Sequence, residues 1–279
     1  MDAIKALLQQ GNIRRAIDQL ILEFKQTDYA NELILQDSRH NNLLREKRMG
    51  LMSAQEFQYA QADITEAILA LVEEMEIQQS PKEEEVTDAL HKKILFCEAN
   101  PLPERNLFSN SELREIEDIL ENGNDRLSLH PKLGLSLVRF SRAVHTLNPH
   151  VIHFTAFSNN EGVYFHDEAD QAEFIPTDFI EKQLAIVADH FECVFFNTFI
   201  SEELAKKVSL KNVLVIGFNG IIDSHGAIEF ATGFYTALSY GKPYAASFEL
   251  GAKTVQKGRY AAILSHLYAY QNGLRLMPF

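Results

Sequence analysis

The side chains best able to do chemistry in this chain are few, and the two most telling positions carry none. The runs HFTAFSNNEG and CVFFNTFIS each end a hydrophobic stretch in the way a catalytic residue is often presented at a strand end. The residues at those ends are Phe157 and Phe199. A base and a nucleophile are the groups a covalent reaction needs there, and a benzyl ring is neither. His153 and Cys193 stand four and six residues earlier in the same runs. Along extended chain that is about 13 and 20 Å, too far to serve a cleft built at the strand ends. His153 and Asn197 read instead as hydrogen-bonded core or strand-end residues. Asp223, Ser224 and His225 are consecutive, and three neighbours in sequence do not converge on one reaction centre; Asp223 reads as the N-cap of a helix.

Other chemistry is weakly signalled. GFNG, residues 217–220, follows an apolar run but lacks the spacing of a dinucleotide fingerprint, and a tight turn is its simpler reading. Glu161, Asp167, Glu168 and Asp170 lack the regular oxygen spacing of a calcium loop, though they would suit a peptide-binding rim. His40 lies in a polar run and is expected on a solvated surface. Cys97 and Cys193 sit in the apolar runs ILFCEA and CVFF, as buried free thiols do in a reducing compartment. Neither a metal nor a cofactor is expected.

The formal charge of −13, from 39 acidic and 26 basic residues, argues against a broad nucleic-acid surface. No apolar stretch approaches the length of a bilayer span, and the chain opens at once as a charged amphipathic helix. A cytoplasmic protein is expected, with neither nucleic acid nor membrane as a partner.

Two domains are expected, residues 1–80 and 90–279, joined by a polar linker at 81–89 within QQSPKEEEVTD. The first reads as four or five helices: Ile13, Ile17, Leu20, Ile21 and Phe24 recur at helical spacing, and Ser53 with Glu56 forms a capping box. In the second, KKILFCEA, VIHFTAF, CVFFNTF and VLVIGF are buried strands alternating with helices, the pattern of a mostly parallel sheet covered on both faces. Few contacts are expected to cross between the domains, each folding on its own.

From Lys92 to Gly251 the chain resembles the caspase-like peptidases of the CHAT type, in the caspase–gingipain clan. The opening strand Ile94 to Pro101, the helix pattern Leu113 to Ile119, and Pro149-His150-Val151-Ile152-His153-Phe154 carry the resemblance. So do Val215-Ile216-Gly217 and the helix from Ala227 to Leu238. The resemblance implies an α/β fold, a caspase-like mostly parallel sheet flanked by helices and preceded by the small all-helical bundle. It places the family's general-base histidine on Phe157, flanked by Ala156 and Ser158, and its nucleophilic cysteine on Phe199. The relic cleft would comprise His153, Ala156, Ser158, Asn197, Ser201, Asn219 and Asp223. Residues 1 to 75, through GNIRRAIDQLI, Gly50-Leu51-Met52 and Glu56-Phe57, resemble the effector-associated domains of bacterial conflict systems. That implies a protein partner with a like helical domain, such as an active caspase-like protease or effector, with self-association a further option. The expected function is a catalytically inactive adaptor, scaffold or regulator in a bacterial defence or cell-death pathway. The alternative is a cysteine peptidase or other hydrolase with a displaced site.

Overall fold

The computed structural model describes residues 2–24, 28–77, 91–102, 108–121, 126–159, 161–187, 191–220, 223–256 and 258–276. The expected linker at 81–89 lies outside the described residues. Four helices come first: α1 (Asp2–Gln9), α2 (Ile13–Glu23), α3 (Asp28–Arg48) and α4 (Ala54–Ile77). Gly50 turns the chain between α3 and α4 at φ 68°, a left-handed conformation that favours glycine. The capping box then opens α4: Glu56 Oε2 accepts from the Ser53 N–H at 2.7 Å, and Ser53 Oγ accepts from the Glu56 N–H at 3.2 Å. Ile13, Ile17, Leu20 and Ile21 of α2 are buried against Ile34, Ile68 and Val72, as their spacing predicts.

The rest is a three-layer α/β unit. Its strands are β1 (Lys92–Ala99), β2 (Leu127–Lys132), β3 (Val151–Ala156), β4 (Ser158–Asn159), β5 (Gly162–His166), β6 (Ala172–Pro176), β7 (Cys193–Phe199), β8 (Leu214–Phe218), β9 (Leu267–Gln271) and β10 (Leu274–Leu276). Seven form one sheet in the order β10-β9-β8-β7-β3-β1-β2, parallel from β2 to β8 and antiparallel at β9 and β10. The helices are α5 (Ser109–Glu121), α6 (Leu137–Leu147), α7 (Thr177–Val187), α8 (Glu202–Ser209), α9 (Ser224–Ser239) and α10 (Tyr244–Gln256). Every residue of β3 is buried, because the sheet is covered on both faces. Ile152, Phe154 and Ala156 face the core under α6, α7 and α8, whereas Val151 faces the core under α5, α9 and α10. The small sheet β4-β5-β6 stands beyond the end of β3. No described helix is long and apolar enough to cross a membrane.

The expectation of few contacts between the two parts fails. Ala237 and Tyr240 of the α9 end and Leu250 of α10 belong to the same core cluster as the four-helix part. The Tyr240 hydroxyl donates to Asp18 Oδ1 at 2.7 Å, with Asp37 Oδ2 at 3.4 Å. Arg48 reaches Glu115 at 2.8 Å and Asp118 at 3.0 Å on α5. The face that docks is polar, which hides it from a reading based on apolar periodicity: Asp37, Ser38, Asn41 and Arg45 of α3 are all buried. His40 is buried there too, not solvated, and burial, helped by nearby Arg14, lowers its pKa to about 4. Tyr240→Phe is accordingly expected to cost about 1.5–3 kcal/mol, the range for a hydrogen bond to a charged group, measured by urea unfolding.

This polar interface carries a pH signature. Burial raises Glu229 to about 7, against the lowering effect of Arg45 and Arg259, and raises Asp37 to about 6, against that of Arg14. A carboxyl whose folded pKa is raised stabilises the fold below its ordinary value and loses that contribution as pH rises through the folded value. His40 works in the opposite sense, losing its contribution as pH falls from 6.5 towards 4. Thermal stability should therefore rise on acidification from about pH 8 to about 6.5, where Glu229 acts nearly alone, level off as His40 opposes it, and rise again below about 6 as Asp37 adds to Glu229. Calorimetry at these pH values on the wild type and on Glu229→Gln measures it; a rise of the same size in the variant would contradict the assignment.

Candidate functional site

The site is built where β3 and β7 end. The two strands pair in parallel, with Val151 opposite Cys193 and Thr155 opposite Asn197. The pairing ends there, and β7 is irregular against β8 between Phe195 and Phe199; Phe157 and Phe199 each lie two residues past the last pair of β3 with β7. Phe199 is the last residue of β7 and pairs with Phe218 of β8. Both phenylalanines are half-buried. The ring of Phe157 lies 5.8 Å from that of Tyr164 on β5. Aromatic carbon thus stands at the two positions where a base and a nucleophile are expected from the resemblance.

The other expected cleft residues divide into those at the mouth and those elsewhere. Ala156 and Ser158 flank Phe157; Thr198 Oγ1 lies 2.9 Å from Ala156 O and 2.6 Å from Ser158 Oγ, tying the ends of the two strands together. Ser201 caps α8, its hydroxyl accepting from the Leu204 N–H at 3.2 Å. Asn219 donates to Glu202 Oε1 at 2.7 Å, beyond the end of β8. Asp223 is the N-cap of α9, as expected, accepting from the N–H groups of His225 at 2.9 Å and Gly226 at 3.3 Å. Each of these polar groups is already occupied in a structural role.

His153 is not at the mouth. It is wholly buried beneath the sheet, stacked on Phe96 at 4.9 Å and edge-on to Phe195 at 4.8 Å. Nδ1 is 3.0 Å from the Tyr235 hydroxyl, and Nε2 makes a 3.0 Å contact with Glu112 Oε1 that is poorly aligned for a hydrogen bond. Asn197 donates to the same Glu112 oxygen at 2.6 Å, which makes Asn197 a link between the mouth and this buried group. Glu112 and Tyr235, both fully buried, are absent from the residues picked out by sequence. Glu112 sits in an otherwise charged helix start and Tyr235 in an apolar helix, so neither stands out in one dimension.

Both thiols are equally remote. Cys193 opens β7 and Cys97 lies within β1, each fully buried and free, and burial pushes both thiols well above the ordinary range. A thiolate is the reactive form, and these environments oppose it. Cys193 stands opposite Val151, while both ring nitrogens of His153 face Tyr235 and Glu112. No dyad is assembled from them. Among the described residues there is no group of three or more His, Cys, Asp or Glu side chains arranged to hold a metal ion.

Two likenesses to known proteins bear on the chain. Residues 1–76 match the family model of effector-associated domain 11. The chain as a whole is similar to a Roc-COR-CHAT protease from an unknown prokaryotic organism, 21% identical over 282 residues. The match covers 93% of this chain and 26% of that protein, so the chain spans about a quarter of the length of the curated relative. An N-terminal effector-associated domain is thus joined to an α/β domain of CHAT-type likeness.

Proposed function

We propose that the chain is a catalytically silent CHAT-type protein that works as an adaptor, scaffold or regulator in a bacterial defence or cell-death pathway. The observation that carries this is the pair Phe157 and Phe199, each two residues past the last pair of β3 with β7, with His153 and both thiols buried elsewhere in the sheet. A domain of this likeness without proton transfer or a nucleophile keeps its shape and surfaces, and those are what remain to be used. The effector-associated domain supplies the link to a protein carrying a like domain, an active caspase-like protease or effector being the kind of partner that fits. The protein would act in the cytoplasm.

Co-purification from cells expressing the full chain with a candidate protein bearing a like domain tests the adaptor role. Recovery should be lost when residues 1–76 are exchanged for an unrelated helical domain. Unchanged recovery after the exchange would overturn the role given to that domain.

A further inference from the structure

We propose that the outer face and open edge of the β4-β5-β6 sheet form a docking site for an extended, arginine- or lysine-rich segment of a protein partner. The first observation is an aromatic ladder. Phe157, Tyr164 and Phe174 follow one another with ring centroids 5.8 and 5.1 Å apart, running from the sheet mouth across β5 to β6. Tyr164 and Phe174 are cross-strand partners on the face opposite Val163, Phe165 and Ile175, which point into the core. Phe174 is 37% exposed. A Cβ on Gly162 would stand 2.8 Å from the Phe174 ring, so a glycine there is what lets the ring lie across the neighbouring strand. Rings held in a row on a solvent-facing surface are poor use of apolar area unless something covers them.

The second observation is the edge itself. Among the described residues strand β6 pairs with β5 alone, and all its residues but Ile175 are exposed. The Thr177 N–H donates to Glu161 O and the Asp167 N–H to Gln171 O across this ladder. Alternation along an antiparallel pair then turns the N–H and C=O groups of Ala172 and Phe174 outward, towards the open side. An added strand would find main-chain partners there.

The third observation chooses the occupant. Residues 161–180 carry Glu161, Asp167, Glu168, Asp170, Glu173 and Asp178 and contain neither lysine nor arginine. Glu161, Glu168, Glu173 and Asp178 are exposed and make no ion pair with lysine or arginine among the described residues. Charged edges commonly serve to block strand pairing. An all-acidic rim blocks a second copy of itself by like charge, yet it attracts a basic strand. Every second side chain of such a strand would lie over the ladder, where a guanidinium or ammonium group gains from the ring faces. The complementary charge would also steer the approach.

The proposal rests on the functional reading above only in holding that the segment is retained and not cut. The test is fluorescence anisotropy of the full chain with a labelled peptide alternating arginine and valine, set against the same peptide with glutamate for arginine. The arginine peptide should bind at least roughly tenfold more tightly, and added salt should weaken it. Phe174→Ala and Ala172→Pro should each weaken binding by roughly tenfold, the first by removing a ring and the second by removing an outward N–H on an edge strand that tolerates proline. Glu173→Lys with Asp178→Lys, both on exposed surface, should abolish it, and circular dichroism checks that each variant is folded. Equal affinity for the two peptides, no binding by either, or wild-type affinity in the lysine double variant would overturn the site. Mass spectrometry of the recovered peptide reports separately on cutting, so a cleaved peptide would refute the catalytically silent reading while leaving the docking site in place.

Discussion

Replacing His153 with alanine is expected to lower the stability of the protein by about 3–5 kcal/mol, the range for truncating a large buried ring to alanine. The ring fills the space between Phe96 and Phe195, and its loss leaves a hole lined by aromatic carbon. It also leaves the Tyr235 hydroxyl without its partner and strands the Glu112 carboxyl, a fully buried group held otherwise by Asn197. For a domain of this size the melting temperature should fall by roughly 10 °C. Adding Glu112→Gln to His153→Ala should recover part of the loss, because an amide costs less to bury short of partners than a carboxyl group. Urea unfolding followed by circular dichroism measures both; a single variant as stable as the wild type would show that the buried group is no anchor.

The second large effect expected is the failure of chemistry to return. Phe157→His with Phe199→Cys restores both residue types at the ends of β3 and β7, yet turnover should be absent or very weak. A dyad needs each group held in line with a bound substrate, and misplacement by about 1 Å costs on the order of a hundredfold. Tyr164 crowds position 157, Thr198 and Ser158 are tied to one another, and Asn197 is held by Glu112. The assay is cleavage of a fluorogenic peptide library by the double variant. Turnover comparable to that of a working cysteine peptidase would mean that the mouth had kept its positioning groups.

Much of this was legible in the sequence, for identifiable reasons. The apolar runs at Ile94, Val151, Val194 and Val215 are strands buried on both faces, so the parallel sheet follows from their near-continuous hydrophobicity. Ser53 with Glu56, and Asp223 before a helix, are local hydrogen-bond arrangements that four residues specify. The edge strand β2 escaped notice because LSLHPK alternates weakly and contains a proline, and β9 and β10 lie beyond the last landmark of the resemblance. The docking of α3 on α9 and α10 was hidden for a different reason. Its buried side chains are Asp37, Ser38, His40, Asn41 and Arg45, which a composition-based reading puts in water. Only three dimensions reveal that Tyr240 meets Asp37 and that Glu115 and Asp118 of α5 meet Arg48. At the site, the place of Phe157 and Phe199 at strand ends could be inferred, whereas the Glu112–His153–Tyr235 group needed the packing of α5 and α9 beneath the sheet.

Whether the native chain performs any thiol chemistry is the question that bears most directly on the account. The measurement is peptide cleavage by the full wild-type chain beside Cys193→Ser and Cys97→Ser, with a thiol-directed activity probe run on the same samples. The account predicts no cleavage above background in any of the three, and labelling of the two thiols only after denaturation. Cleavage by the wild type that disappears in either serine variant would contradict it.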